Sequence, residues 1–128
     1  MRALLDTHAF LWANEDPARL SRRARRLIED AANDMFLSAA SAWEIAIKHA
    51  KGRLDLPEPP YGFVVSRVDR LKLEPLPVEI SHALRAGALP LVHRDPFDRL
   101  LVAQGQLQGL SILTSDPIIA RYDVEVIW

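Results

Sequence analysis

The sequence predicts an α/β fold on a mostly parallel sheet, and three observations carry that prediction. Short apolar runs alternate with longer segments of helical periodicity, the pattern of repeated βαβ units. Gly and Pro punctuate the joints between them. Acidic residues stand just past the apolar runs, where open sheets of this kind bind ligands.

From the N-terminus, residues 3–5 read as a buried strand, then a short helix through Phe10, Leu11 and Trp12, then a break at Asp16-Pro17. Residues 20–32 read as a helix, because Leu20, Ala24, Leu27, Ile28 and Ala31 recur at three- and four-residue spacing. Residues 35–37 are the second strand, and 41–51 a helix closed by Gly52. Pro57, Pro59 and Pro60 mark a loop and open a helix through Phe63, Val64, Val68 and Leu71. A third strand is expected at 73–76, with Pro75 weakening it. A helix at 80–86 ends at Gly87, 89–94 is a loop, and 98–107 is helical with Gly109 as its stop. The fourth strand falls at 111–113, one helical turn at 117–120 and the last strand at 124–127. Right-handed crossovers between parallel strands place helices on both faces.

The bulk numbers fit one domain over residues 1–128: 49% hydrophobic and 26% charged residues suit a globular chain with a real core. With no cysteine, disulfides and thiolate metal sites are excluded. Asp6 and His8 interrupt the first apolar run, so no signal peptide is expected. No apolar stretch reaches the roughly 18 residues of a membrane span, and a cytoplasmic location is the default. Net charge is −1, so bulk electrostatics do not announce a nucleic-acid binder.

Four carboxylates carry the chemical information: Asp6, Glu44, Asp98 and Asp116. Asp6 and Asp116 follow strands, whereas Glu44 and Asp98 sit in early helical turns. Three of them have a bland reading beside the functional one. Ser41-Ala42-Trp43-Glu44 is a capping-box pattern. Asp95-Pro96 and Asp116-Pro117 look like helix caps with proline at the first position, and Asp98 suits the helix dipole. Asp6 alone has no obvious structural duty. Gathered at one sheet edge, the four would repel one another without a counter-charge, and carboxylate oxygens are what Mg²⁺ and Mn²⁺ prefer. Such an ion suits phosphodiester hydrolysis.

At these positions the chain resembles the PIN-domain ribonucleases, specifically the toxins of VapBC-type toxin–antitoxin pairs. The matching segments are Leu4-Leu5-Asp6-Thr7-His8, residues 38–48 around Trp43-Glu44, His93-Arg94-Asp95-Pro96-Phe97-Asp98-Arg99 with its continuation to Gln104, and Leu113-Thr114-Ser115-Asp116. The resemblance covers essentially the whole chain. It implies a PIN-like three-layer α/β/α fold with about five strands, and an Mg²⁺- or Mn²⁺-dependent endoribonuclease. It implies Asp6, Glu44, Asp98 and Asp116 as the acidic quartet, with Asp6, Asp98 and Asp116 nearest the metal. Thr7, Asp95 and Ser115 are possible auxiliaries, Asp95 otherwise being a cap. It also implies an RNA substrate, a cognate antitoxin that packs between helices, and a homodimer.

Arg94 and Arg99 flank the acidic segment and are candidates for substrate phosphate, or for pairing with a nearby carboxylate. Arg22, Arg23, Arg25 and Arg26 form a basic cluster that is either a solvated face or a contact for RNA or an acidic partner. His8, His49, His82 and His93 show no metal-ligand spacing, although His8 and His93 could touch substrate. Trp12 and Phe63, if partly exposed, would suit an interface. Two other functions compete. A phosphoacceptor receiver domain needs paired acids after the first strand and a late lysine, and neither is present. A non-catalytic protein-interaction module on the same fold would be favoured by a missing acid, and none is missing.

Overall fold

In the computed structural model, which describes residues 1–128, β1 (Arg2–Leu5) leads into α1 (Thr7–Glu15) and α2 (Arg22–Glu29). β2 (Asp34–Ser38) is followed by α3 (Ala39–Ala50) and α4 (Pro60–Arg70), and β3 (Glu74–Leu76) by α5 (Ile80–Ala88) and α6 (Pro96–Gln108). β4 (Ser111–Leu113) and β5 (Val126–Ile127) close the chain. The sheet order is β3-β2-β1-β4-β5 and every pairing is parallel. No helix is long and apolar enough to cross a membrane.

Strand alternation sorts the core into two layers. Ala3, Leu5, Met35, Leu37, Leu113 and Ile127 face α1 to α4, where Phe10, Ile45 and Phe63 fill the space. Phe10 and Phe63 are both fully buried and meet edge to face at 6.3 Å. Leu4, Phe36 and Ile112 face the other way, onto Leu101 and Val102 of α6. Helices therefore cover both faces, the three-layer α/β/α arrangement expected. Gly105 lets α6 seat closely on the sheet, because a Cβ there would lie 3.0 Å from Val124 and 3.1 Å from the Leu110 carbonyl. Gly109 ends α6 in the left-handed region at φ 65°.

Local capping decides where the boundaries depart from expectation. Ser21 starts α2 by accepting the Ala24 N–H, residues 17–19 form a separate 3₁₀ turn, and Ala31 is an exposed turn residue. α3 starts two residues early because Ser38 accepts the Ala40 N–H, so Ser41 lies inside the helix and the expected capping box does not form. α5 runs through Gly87 to Ala88, and the last helical turn is Ile119–Arg121.

The order of connections matters most for function. From β1 the chain moves to β2 and β3 on one side, then returns to β4 and β5 on the other. The crossovers diverge above β1 and β4, which opens a crevice at their carboxyl ends.

Candidate active site

Asp6 sits at that crevice. Its backbone N–H donates to the Leu113 carbonyl at 3.1 Å, joining the ends of β1 and β4. Contrary to the sequence reading, Asp6 has a structural duty: Oδ1 caps α1 by accepting the Ala9 N–H at 2.8 Å. Oδ2 accepts the Thr114 hydroxyl at 2.5 Å, and Thr114 Oγ1 in turn accepts the Asp116 N–H. Burial pushes the Asp6 carboxyl above its ordinary range, opposed by those donors and by His8, and Asp116 adds to the rise.

Glu44 reaches the crevice from the second turn of α3 and is 2% exposed. Oε1 accepts the Thr7 hydroxyl at 2.6 Å, and Oε2 pairs with Lys48 one turn later. Thr7 also contacts buried Ser41 at 3.0 Å, so α1 and α3 are pinned together beneath the acid.

Asp98 stands in the first turn of α6, whose start is capped by Asp95 through the Phe97 and Asp98 N–H groups. Burial, joined by repulsion from Asp95, Glu44 and Asp6, pushes Asp98 up to about 7, with His93 opposing the rise. Each acid of the quartet is thus within electrostatic reach of another. Asp116 accepts the Ile118 N–H and lies beside His93, whose Nε2 is 3.3 Å from Asp116 Oδ2 and 2.9 Å from Asp98 Oδ2. His93, Asp98 and Asp116 bring one ligand atom each within 4.8 Å of one another. The donor set suits a hard divalent cation because it is rich in carboxylate oxygens, and two of the acids are held above their ordinary range chiefly by burial.

Several expectations need correction. Arg99 does not face substrate phosphate; it is 8% exposed and donates to the carbonyls of Ala86, Leu89, Pro90 and His93. A guanidinium this buried is tolerable only because backbone acceptors meet it. Ser115 points outward and is exposed, and the hydroxyl that touches the acids belongs to its neighbour Thr114. Phe63 is fully buried and cannot serve an interface. Asp95 is occupied as a cap. Arg94 is exposed. The exposed Arg22–Arg26 stretch leads towards the start of β2, at the sheet edge opposite the acids.

Lys48, Ser41, Thr114 and Tyr122 were absent from the expected set. Lys48 alone had a readable signal, its four-residue spacing from Glu44 on a helix. The others act across 29 to 108 residues of chain, in the contacts His93–Tyr122, Thr7–Ser41 and Thr114–Asp6, which no local pattern displays.

A family model described as PIN domain matches residues 3–125. Ribonuclease VapC22 of Mycobacterium tuberculosis is 32% identical over 116 residues, covering 88% of this chain and 85% of that protein. Ribonuclease VapC16 of the same organism is 45% identical over 64 residues, half of this chain but only 45% of VapC16. Among solved structures, VapBC2 from Rickettsia felis, bound to a DNA fragment from its promoter, has a similar fold, with a TM-score of 0.74 at 14% identity over 100% of this chain and 99% of that one. The chain belongs to the PIN-domain family and is of the VapC type.

Proposed function

We propose that this protein is a metal-dependent endoribonuclease and the toxin of a toxin–antitoxin pair, with residues 1–128 forming one cytoplasmic nuclease domain. The observation that carries the reading is the meeting of Asp6, Glu44, Asp98 and Asp116 at the switch-point crevice of a VapC-type PIN chain. The names of VapC16 and VapC22 support RNA as the substrate.

Asp6, Asp98 and Asp116, completed by Glu44, would hold Mg²⁺ or Mn²⁺. When bound, the ion supplies Lewis acidity towards water and the phosphoryl oxygens. The chain's own residues prepare the site. Thr114 and the Ala9 N–H fix both oxygens of Asp6, while Thr7 and Lys48 fix those of Glu44. Lys48, partly exposed beside Glu44, and exposed Arg94 place positive charge where a polyanion would approach. Trp43, Tyr61 and Val65 leave an exposed apolar strip along α3 and α4, suited to the antitoxin or to a second copy of the chain.

The test is cleavage of a mixed RNA pool by purified, antitoxin-free protein in Mg²⁺ or Mn²⁺ against EDTA. Cleavage that needs metal and disappears in Asp6→Asn supports the reading. Folded protein that cuts nothing in either metal would instead favour a non-catalytic interaction module.

A further inference from the structure

We infer that His93 is a positioning residue: its Nε2–H donates to Asp116 while the ring lies against Asp98, and it does not itself ligate the metal. The inference rests on reading these acids as metal ligands, and its first test requires no metal.

The two acids come from separate elements, Asp98 from α6 and Asp116 from the loop after β4. His93 Nε2 lies between them, 2.9 Å from Asp98 Oδ2 in an ion-pair contact off the hydrogen-bond axis and 3.3 Å from Asp116 Oδ2 in a hydrogen bond. By ligand count alone, the three would make a metal set. The other ring nitrogen argues otherwise. Nδ1 accepts the Asp95 backbone N–H at 3.3 Å, so in the neutral ring the proton sits on Nε2. That nitrogen then has no lone pair to offer a cation, and its N–H is given to Asp116. A ligating histidine usually turns its second nitrogen, as a donor, to a carboxylate or carbonyl. Here the second nitrogen meets a donor, the opposite polarity.

The ring is also held from behind. The His93 N–H donates to Tyr122 Oη at 2.7 Å, and that hydroxyl donates to the Pro90 carbonyl. Arg99, the one buried arginine, ties down the carbonyls of Pro90 and His93 through Nη1 and those of Ala86 and Leu89 through Nη2. The one buried charged residue of α6 is thus used to shape the segment that carries His93.

The decisive experiment has two parts. Long-range ¹H–¹⁵N correlation of the ring nitrogens in metal-free protein at pH 8, with His93 assigned by its loss in His93→Gln, should show the Nε2–H tautomer. Mn²⁺ titration followed by electron paramagnetic resonance should then show affinity within about threefold of wild type for His93→Gln, which keeps a donor of similar reach. It should show a loss of about 10- to 100-fold for His93→Ala, in the range typical of outer-shell partners. The spin-echo spectrum of bound Mn²⁺ should carry no coupling from a directly bonded nitrogen. An Nδ1–H tautomer, a bonded ¹⁴N, or equal loss in the two variants would overturn the inference. Should His93→Ala fail to fold, the tautomer and the His93→Gln affinity decide it. Failure of the underlying reading looks different: Asp98→Asn would then bind Mn²⁺ as well as wild type, while the tautomer result still stands or falls alone.

Discussion

Asp6 and Glu44 are 5% and 2% exposed, and all four of their carboxylate oxygens meet a protein donor. Asp98 and Asp116 form the other half of the site, with side chains 19% and 31% exposed and a single imidazole shared between them. The first half is preorganised by the strand ends and by α1 and α3. The second stands on α6 and a loop, with less compensation for its charge. The contrast suggests a division of labour: a rigid wall and a more open side, where an ion and a substrate would enter.

The largest expected effect lies in the chemistry. Asp6→Asn and Asp98→Asn should each lower the rate of RNA cleavage by about 100-fold or more, since either removes charge from the proposed metal cradle. Initial rates under saturating Mn²⁺ check this. Equal, small losses from both would erase the functional meaning of the two halves.

Stability should move the other way at Asp98. Its pKa is raised on folding from 3.8 to about 7, so its ionisation opposes the fold. The stabilising contribution is whole below about pH 4 and is lost as pH rises through 7. Metal-free Asp98→Asn should therefore be more stable than wild type by about 2–4 kcal/mol at pH 8, with the difference vanishing near pH 4. Urea unfolding at both pH values in EDTA measures it.

In the sealed half the expectation reverses. Lys48→Met leaves buried Glu44 with only Thr7 as partner, and should cost about 1–3 kcal/mol. Glu44→Gln should cost less, because it keeps an acceptor for Thr7 and releases a lysine that is already 40% exposed. Denaturant midpoints of the two variants compare them.

The smallest effect tests how α6 carries the open half. Gly105→Ala forces a Cβ to 3.0 Å from Val124, and overpacking of that kind costs about 1–3 kcal/mol. Helix propensity returns about 1 kcal/mol, leaving a net loss of about 1 kcal/mol. Thermal melts check the sum, and a weakened Mn²⁺ affinity in the same variant would show that the seating of α6 sets the position of Asp98.

Much of this architecture is legible in the sequence because it is local. Apolar runs at 3–5, 35–37 and 111–113 become strands, and Gly109 ends α6, as their patterns require. The four acids stand out for the same reason: each abuts a strand end or an early helical turn. What the sequence hides is long-range satisfaction of polar groups. Arg99 looks like a phosphate ligand beside Asp98, yet five acceptors around it decide its direction, and they come from residues 86 to 122. Asp6 looks free of structural work because its capping role depends on α1 starting at Thr7. Ser41 and Glu44 fit a capping box by spacing, but Ser38 caps the helix three residues earlier.

The most direct test of the account is Mn²⁺ binding at pH 8, measured by calorimetry on wild type, Asp98→Asn and Arg94→Ala. The account predicts saturable binding to wild type and to Arg94→Ala, and its loss or severe weakening in Asp98→Asn. Saturable binding unchanged in Asp98→Asn, or no binding by folded wild type, would contradict it.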